Sequence, residues 1–416
     1  MKTKIIAIII VIACLLQPHP IQAAQYVNAR SLAMANSFTS LARNYQTIGV
    51  NPANLALPGN SGFSLELASA GAELFNNSFS LSDYNSYNGE YLSQADKDDI
   101  LAKIPSGGLE GNGGGGASAL SFSKGSFAFG LTGEGGAHAC LDKKVMELIF
   151  NGNTIGDSVD VSNAYGTGVA HVDLNLSYGA KLMTTAWGRI NWGVNLKYIR
   201  GFGYMNVEES EAYLTTRLEG ISSEGAIQVK TSEGGSGFGM DIGFSAEYKN
   251  SWIFSLAVTD LISSISWNKN NELNTYIFTW NSLTLENSDD DSTITSDEIE
   301  ETIGSFSSSL APQLSLGASR NYKRLLLTFD YRQGFKNLGN VSTTPEIALG
   351  CEARFINSLP LRAGISLGGA DGKAAAVGLG LEIKPFFLDF AYMASGSIIP
   401  AGGKGIGLAV SSGLIF

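Results

Sequence analysis

His171-Val172-Asp173-Leu174-Asn175-Leu176-Ser177-Tyr178-Gly179-Ala180-Lys181-Leu182 switches between two chemistries at every residue. Val172, Leu174, Leu176, Tyr178, Ala180 and Leu182 make one apolar face; His171, Asp173, Asn175, Ser177, Gly179 and Lys181 make the other. Period two is the mark of a β-strand, because successive side chains leave a pleated backbone on opposite sides. The pattern recurs directly afterwards, with Ile190, Trp192, Val194, Leu196 and Tyr198 set against Asn191, Gly193, Asn195 and Lys197. It returns in Phe238 to Tyr248, where Gly239, Asp241, Gly243, Ser245 and Glu247 alternate with apolar residues, and in Ile347 to Phe355 against Glu346, Gly350, Glu352 and Arg354. A soluble sandwich also alternates, with its apolar face inward. Recurrence over so many long strands favours lipid on one side and a polar lumen on the other.

Working outward, the pattern predicts strands near 61–69, 117–124, 126–132, 169–183, 188–202, 236–249, 251–260, 312–320, 323–332, 344–356, 360–369, 374–384, 386–395 and 404–416. The expected fold is therefore all-β: a transmembrane antiparallel β-barrel of about fourteen strands, an even number as single-chain bacterial barrels have. The connections test this separately. Those at Gly125, Thr184–Trp187, Asn250, Asn321–Tyr322, Asn357–Leu359 and Pro385 are short, whereas 70–116, 133–168, 203–235 and 261–311 read as long loops. Short periplasmic turns and long external loops place both termini on the periplasmic side. Trp187, Tyr248, Trp252, Tyr322, Phe355 and Phe386 gather at the short-turn end, as an interfacial girdle would.

The 416 residues carry 27 Lys and Arg against 38 Asp and Glu, a formal net charge of −11 that argues against nucleic acid as a partner. At the N-terminus Lys2 and Lys4 precede the short apolar run Ile5–Leu16, broken by Pro18 and Pro20 before Ile21-Gln22-Ala23. Residues 1–23 read as a secretory signal peptide; the run is too short to cross a bilayer as a helix. Val11-Ile12-Ala13-Cys14 resembles an acylation box, but Leu15 and Leu16 carry the apolar run past the cysteine. No later stretch is apolar enough for a spanning helix, so a membrane location requires a closed barrel, with outer-membrane lipid around residues 61–416. The final strand, Leu408 to Phe416, ends on an aromatic; Phe416 resembles the sorting signal read by the barrel-assembly machinery.

Residues 28–57 contain Asn28-Ala29-Arg30-Ser31-Leu32-Ala33-Met34-Ala35-Asn36 and, further on, Asn51-Pro52-Ala53-Asn54-Leu55-Ala56. This stretch resembles the N-terminus of the FadL-like superfamily of outer-membrane proteins, in which Asn-Pro-Ala is a recognisable box. Leu196-Lys197-Tyr198, Val258-Thr259-Asp260-Leu261 running to Trp267, and Asp96-Lys97 through Ile104-Pro105 resemble motifs of the uncharacterised branch of that group. The resemblance implies fourteen strands, residues 24–60 lying in the barrel as a plug, and Asn51, Pro52 and Ala53 fixing its turn. It implies passive uptake of small hydrophobic molecules across the bacterial outer membrane. A second function stays open, because relatives of the PorV type dock secreted or periplasmic proteins instead. On the residues alone, Asn-Pro also suits a turn in a periplasmic leader before the first strand.

Chemistry along the chain is sparse. By alternation Lys197, Asp241, Glu247, Arg324, Asp330, Arg332, Glu352, Arg354, Arg362 and Glu382 point into the lumen. Mixed signs predict a web of ion pairs rather than the single-sign ring of an ion-selective pore. Asn287, Asp289, Asp291, Thr293 and Glu298 have the spacing of a Ca²⁺ loop, although Ser292 stands where the tight turn wants glycine. In that reading Ile299, Ile303 and Phe306 would form the face of the exiting helix; the alternative is a solvated acidic loop whose Thr295 and Glu298 form a capping box for a short helix. Gly111 to Gly116 lacks the Lys-Ser/Thr of a phosphate loop and is expected to be flexible. Two free thiols, Cys140 and Cys351, are expected, and His138 with Cys140 is too small a set for a closed zinc site. His171 and Asp173 share a strand face, but no nucleophile elbow accompanies them, and no enzyme is expected.

Overall fold

The alternation in sequence reappears as an alternation in burial, with the sign reversed from that of a soluble protein. Asp173, Asn175 and Ser177 are at most 2% exposed, whereas Leu174 and Leu176 between them are 42% and 51% exposed. Polar residues face inward and apolar residues outward, which is stable only if lipid covers the outside. The computed structural model describes residues 28–416 apart from 153, 157, 161, 163, 250, 285–293, 339–340 and 399–401. No helix among the described residues is long and apolar enough to cross a membrane.

Fourteen strands close into one antiparallel barrel. They are β1 (Ser64–Asn76), β2 (Leu109–Lys124), β3 (Phe127–Leu141), β4 (Tyr165–Thr185), β5 (Gly188–Arg217), β6 (Gly234–Tyr248) and β7 (Trp252–Lys269). The second half comprises β8 (Gln313–Tyr322), β9 (Leu325–Gly334), β10 (Glu346–Ile356), β11 (Leu359–Gly368), β12 (Gly372–Ile383), β13 (Phe386–Ser395) and β14 (Gly405–Ile415). Each pairs with the next, and β1 meets β14 from Ser64 opposite Ile415 to Phe75 opposite Gly405, which removes the last open edge. All fourteen lie where the alternation places them.

The long connections differ from expectation. Much of 70–116, 133–168, 203–235 and 261–311 is strand rather than loop. At about 3.3 Å per residue, the 30 residues of β5 extend far beyond what a bilayer needs. Beyond the lipid both faces meet water, so the apolar alternation fades while the backbone ladder continues; the sequence signal stops and the strand does not. The distal half of β5, the strands Gly220–Ser232, Glu272–Leu283 and Ile294–Thr302, and the short strand Ser158–Asp160 pair side by side in an external sheet. The Gly111–Gly116 run is likewise strand, paired with β1 on one side and with Ala139 to Glu134 of β3 on the other. The expected helix after Thr295 is overturned: Ile294–Thr302 is a strand, with β-branched Ile294, Thr295, Ile299 and Thr302 set against Trp280 to Glu272. External helices do form at Leu81–Tyr87 and Gln94–Lys103, each opened by a capping box, Ser80 with Asp83 and Ser93 with Asp96.

Candidate functional site

The lumen is occupied by the chain's own N-terminal segment. Residues 29 to 57 are mostly buried, and what buries them is the inner wall. Local capping shapes the segment before the barrel holds it. Asn28 Oδ1 accepts from the Ser31 amide at 3.1 Å and starts the helical turn Ala29–Leu32. Asn51 Oδ1 accepts from the Ala53 amide at 3.1 Å and caps the 3-10 turn Pro52–Ala56, where proline's missing N–H is not needed. The same Asn51 side chain donates through Nδ2 to the carbonyls of Phe244, at 3.1 Å, and Leu256, at 3.4 Å, on the wall. One asparagine thus shapes the turn and ties it to β6 and β7.

The seat for that turn is a row of glycines. Gly179 of β4 is paired with Gly193 of β5, and Gly193 with Gly243 of β6. A Cβ at Gly179 would lie 2.4 Å from the Pro52 carbonyl oxygen, one at Gly193 2.4 Å from the Ala53 nitrogen, and one at Gly243 2.0 Å from Asn51 Oδ1. Only a wall without side chains lets the segment come this close. Ser245 Oγ donates to the Ala53 carbonyl at 3.3 Å and Ser255 Oγ to Asn54 Oδ1 at 3.2 Å, completing the seat. At the other end Ala29, Leu32, Ala33 and Ala35 pack on Ala374, Ala376, Ala391, Met393 and Ala409 of β12 to β14.

Charged groups hold the middle. Arg30 Nε, Arg354 Nε and Arg362 Nε converge on the Glu352 carboxylate at 2.9, 2.8 and 2.8 Å. Arg354 also pairs with Glu382 at 2.6 Å, and Arg362 with Asp389 at 2.6 Å. Three guanidinium groups meet three carboxylates, so this buried web is neutral. Asp330 accepts the Phe38 and Thr39 amides at 3.0 and 2.8 Å, and Lys197 bridges Asp241 and Asp260 at 3.0 and 2.8 Å. The last contact depends on a bulge: between the pairs Met240–Ile262 and Ile242–Val258, β7 has three residues opposite one, and Asp260 turns inward. Arg43 is held by carbonyls of Ser40, Leu41, Ala42 and Pro58. Its burial, with Arg30 nearby, lowers its pKa to about 10 against the opposing pull of Glu247.

A cavity of about 170 Å³ remains between segment and wall. Phe38, Tyr45, Ile48, Val50 and Val341 give it an apolar side, and Glu66, Glu134, Lys197, Asp260 and Arg332 a polar one. Elsewhere in the lumen Val169, Ile199, Ile265, Trp267 and Leu310 form a buried apolar cluster with Tyr204, Phe306 and Leu338. Trp267 donates from Nε1 to Ser308 Oγ at 2.8 Å and covers Gly201, where a Cβ would lie 2.5 Å from its ring. On the outer face a groove of about 440 Å³, lined by Ile190, Phe244, Phe254, Leu256, Leu316 and Phe329, lies behind the two carbonyls that Asn51 holds.

The expected lumen residues fall into place unevenly. Lys197, Asp241, Asp330, Arg332, Glu352 and Arg362 are buried, and Glu247, Arg354 and Glu382 are partly so. Arg324 is a correction: it sits exposed in the β8–β9 turn, because β9 starts only at Leu325. Glu298 lies exposed in its strand, opposite Tyr276, while Asn287, Asp289, Asp291 and Thr293 fall outside the described residues. Phe416 is exposed; its amide bonds the Phe63 carbonyl at 3.1 Å and its ring lies 5.9 Å from that of Phe63. Cys140 and Cys351 are free. The glycine row was missed as a site; its signal was three glycines at lumen-facing positions of adjacent strands.

A fourteen-stranded barrel closed on itself, apolar outside and filled by its own N-terminal segment, defines an outer-membrane-type β-barrel of FadL-like architecture. The chain belongs to DUF5723, a family of unknown function, matched over residues 51–233 and 219–395. No curated protein matches it in sequence. Among solved structures it is similar to a Pseudomonas aeruginosa FadL homologue, with 13% identity, a TM-score of 0.54 and coverage of 95% of this chain and 99% of that one. The toluene transporter TodX of P. putida follows at 10% identity and a TM-score of 0.51, covering 95% and 99%. Ralstonia pickettii TbuX, also a toluene transporter, has 14% identity and a TM-score of 0.50, covering 94% and 99%. At these identities the likeness concerns the fold.

Proposed function

We propose that the protein is an outer-membrane channel for passive uptake of small hydrophobic molecules, closed at rest by residues 28–57. The observation that carries this reading is the placement of that segment inside the barrel, seated on glycines and capped by a cavity with one apolar side. Tyr204, Phe306 and Leu338, only partly buried against the apolar cluster around Trp267, offer a surface on which a hydrophobic solute can leave water. Phe38, Tyr45, Ile48 and Val50 then offer a second apolar surface on the segment itself. A path through the wall at Asn51 would have to part β6 from β7, which pair directly at Phe244 and Leu256 between the seat and the lipid-facing groove. The toluene transporters of like fold support an apolar substrate.

A second reading has its own observation. The external sheet ends at Ile294–Thr302, a strand paired only on its Glu272–Leu283 side among the described residues, and such an outward edge can take up a strand from a secreted protein. Native mass spectrometry of protein extracted mildly from its own membranes separates the two. A retained small apolar molecule supports the channel. An empty barrel carrying a second polypeptide rejects it in favour of docking. In this scheme Phe416 serves the assembly machinery, and Ca²⁺ titration of the chain tests the loop 287–298.

A further inference from the structure

Glu134 of β3 lies directly opposite His171 of β4, and Asp173 follows on the same inward face. One ligand atom from each of these three side chains lies within 4.8 Å of the other two. His171 and Asp173 are 6% and 2% exposed, and Nδ1 of the imidazole is 2.8 Å from Asp173 Oδ1. The Glu134 carboxylate borders the lumen cavity and makes no hydrogen bond or ion pair among the described residues.

Charge makes this arrangement unusual. The charged groups around Glu134 are Asp173, His171, Lys197 and Asp260. Lys197 is already shared between Asp241 and Asp260. Four carboxylates therefore face one lysine and one histidine, unlike the Glu352 web, where the signs balance. Asp173 is buried and has only the His171 imidazole beside it, and Glu134 is half-buried with no partner of its own among the described residues, so the site is short of positive charge where the two carboxylates approach.

We propose that Glu134, His171 and Asp173 bind a divalent transition-metal cation, with Zn²⁺ as the type ion. One imidazole and two carboxylates, with no thiolate, are the donor set that borderline divalent ions accept. Metal–ligand bonds of about 2.0–2.2 Å put ligand atoms about 3.5 Å apart, which rotation of these side chains from their present spacing can reach. Three protein ligands leave a fourth position, and Glu134 places it at the cavity. The ion would cross-link β3 to β4 inside the wall and present an open coordination site to the lumen, whether or not the barrel transports a solute.

The test uses the full mature chain, purified without a histidine tag, stripped with chelator and titrated with Zn²⁺ by calorimetry in excess Ca²⁺. The expected result is one Zn²⁺ per chain, weakened at least about tenfold in Glu134→Gln and in Asp173→Asn and unchanged in His138→Ala. Absence of stoichiometric binding, or binding that only His138→Ala removes, overturns the proposal. Should the lumen variants fail to fold, Co²⁺ added to the wild-type protein decides it. Visible bands of a four- or five-coordinate ion with a nitrogen ligand support the site, and the spectrum of hydrated Co²⁺ overturns it.

Discussion

Gly193→Ala adds one methyl group to the wall and aims it at the backbone of the segment that fills the lumen. The new Cβ would stand 2.4 Å from the Ala53 nitrogen and 2.4 Å from the Pro52 carbonyl carbon, both backbone atoms that cannot rotate away. Ordinary contact needs about a further 1 Å, and overpacking of this kind costs about 1–3 kcal/mol. Moving the turn that far strains four contacts: Asn51 to the carbonyls of Phe244 and Leu256, Ser245 to Ala53, and Ser255 to Asn54. Losing two of them adds about 2 kcal/mol, at about 1 kcal/mol each. Seating of the segment should weaken by about 3–5 kcal/mol, a factor of more than about a hundred. The barrel itself should be untouched, because alanine is acceptable in a strand and the ladder needs only backbone. Heat-modifiable gel mobility reports the barrel, and hydrogen exchange of residues 44–57 reports the seat. A folded barrel with faster exchange there is expected, while Gly111→Ala, whose Cβ would meet nothing within 4 Å, should behave as wild type. Unchanged protection of Asn51 to Ala56 in a folded Gly193→Ala barrel would refute the reasoning.

Other outcomes follow from the same geometry. Glu352→Gln leaves Arg30, Arg354 and Arg362 short of one negative charge and should destabilise the folded barrel by about 3–5 kcal/mol, read as a lower denaturant midpoint for loss of heat-modifiable mobility. Deleting Arg30–Leu57 should raise single-channel conductance in planar bilayers, since those residues fill the bore; conductance equal to wild type would contradict the occluded lumen. Trp267→Ala removes the largest fully buried side chain of the apolar cluster and should cut uptake of a hydrophobic probe such as toluene in whole cells with the barrel still assembled. Outside the membrane, burial tends to raise the Asp83 carboxyl, but Lys103 and Ser80 outweigh it and hold its pKa down to about 2. Because the folded value is depressed, the contact between the helices Leu81–Tyr87 and Gln94–Lys103 is at full strength above the ordinary carboxylate range and is lost only as pH falls through about 2. Carboxyl NMR titration checks this, and Lys103→Met should return Asp83 towards its usual range.

Period two by itself determined the barrel. Val172 to Leu182 and its repeats place the strands, their faces and the short turns, since a strand crossing lipid must present apolar residues on every second position. Asn51-Pro52-Ala53 was legible as a turn for a local reason as well: an asparagine cap and a proline at the first position act within a few residues. The tertiary structure decided what is not local. Strands beyond the lipid lose their apolar face, so β5 past Phe202 and the Ile294–Thr302 strand could be seen only in their ladders. The glycine row spans three strands, Gly179, Gly193 and Gly243, and becomes a seat only when register sets them side by side against Pro52. Alternation alone would turn Asp260 outward; a bulge in β7 turns it toward Lys197. Glu134 stood in what read as a loop, and only the pairing of β3 with β4 brings it to His171 and Asp173. Alternation fixes which side a residue faces, through backbone geometry alone, but register between distant segments sets which residues meet, and register is a property of the closed barrel.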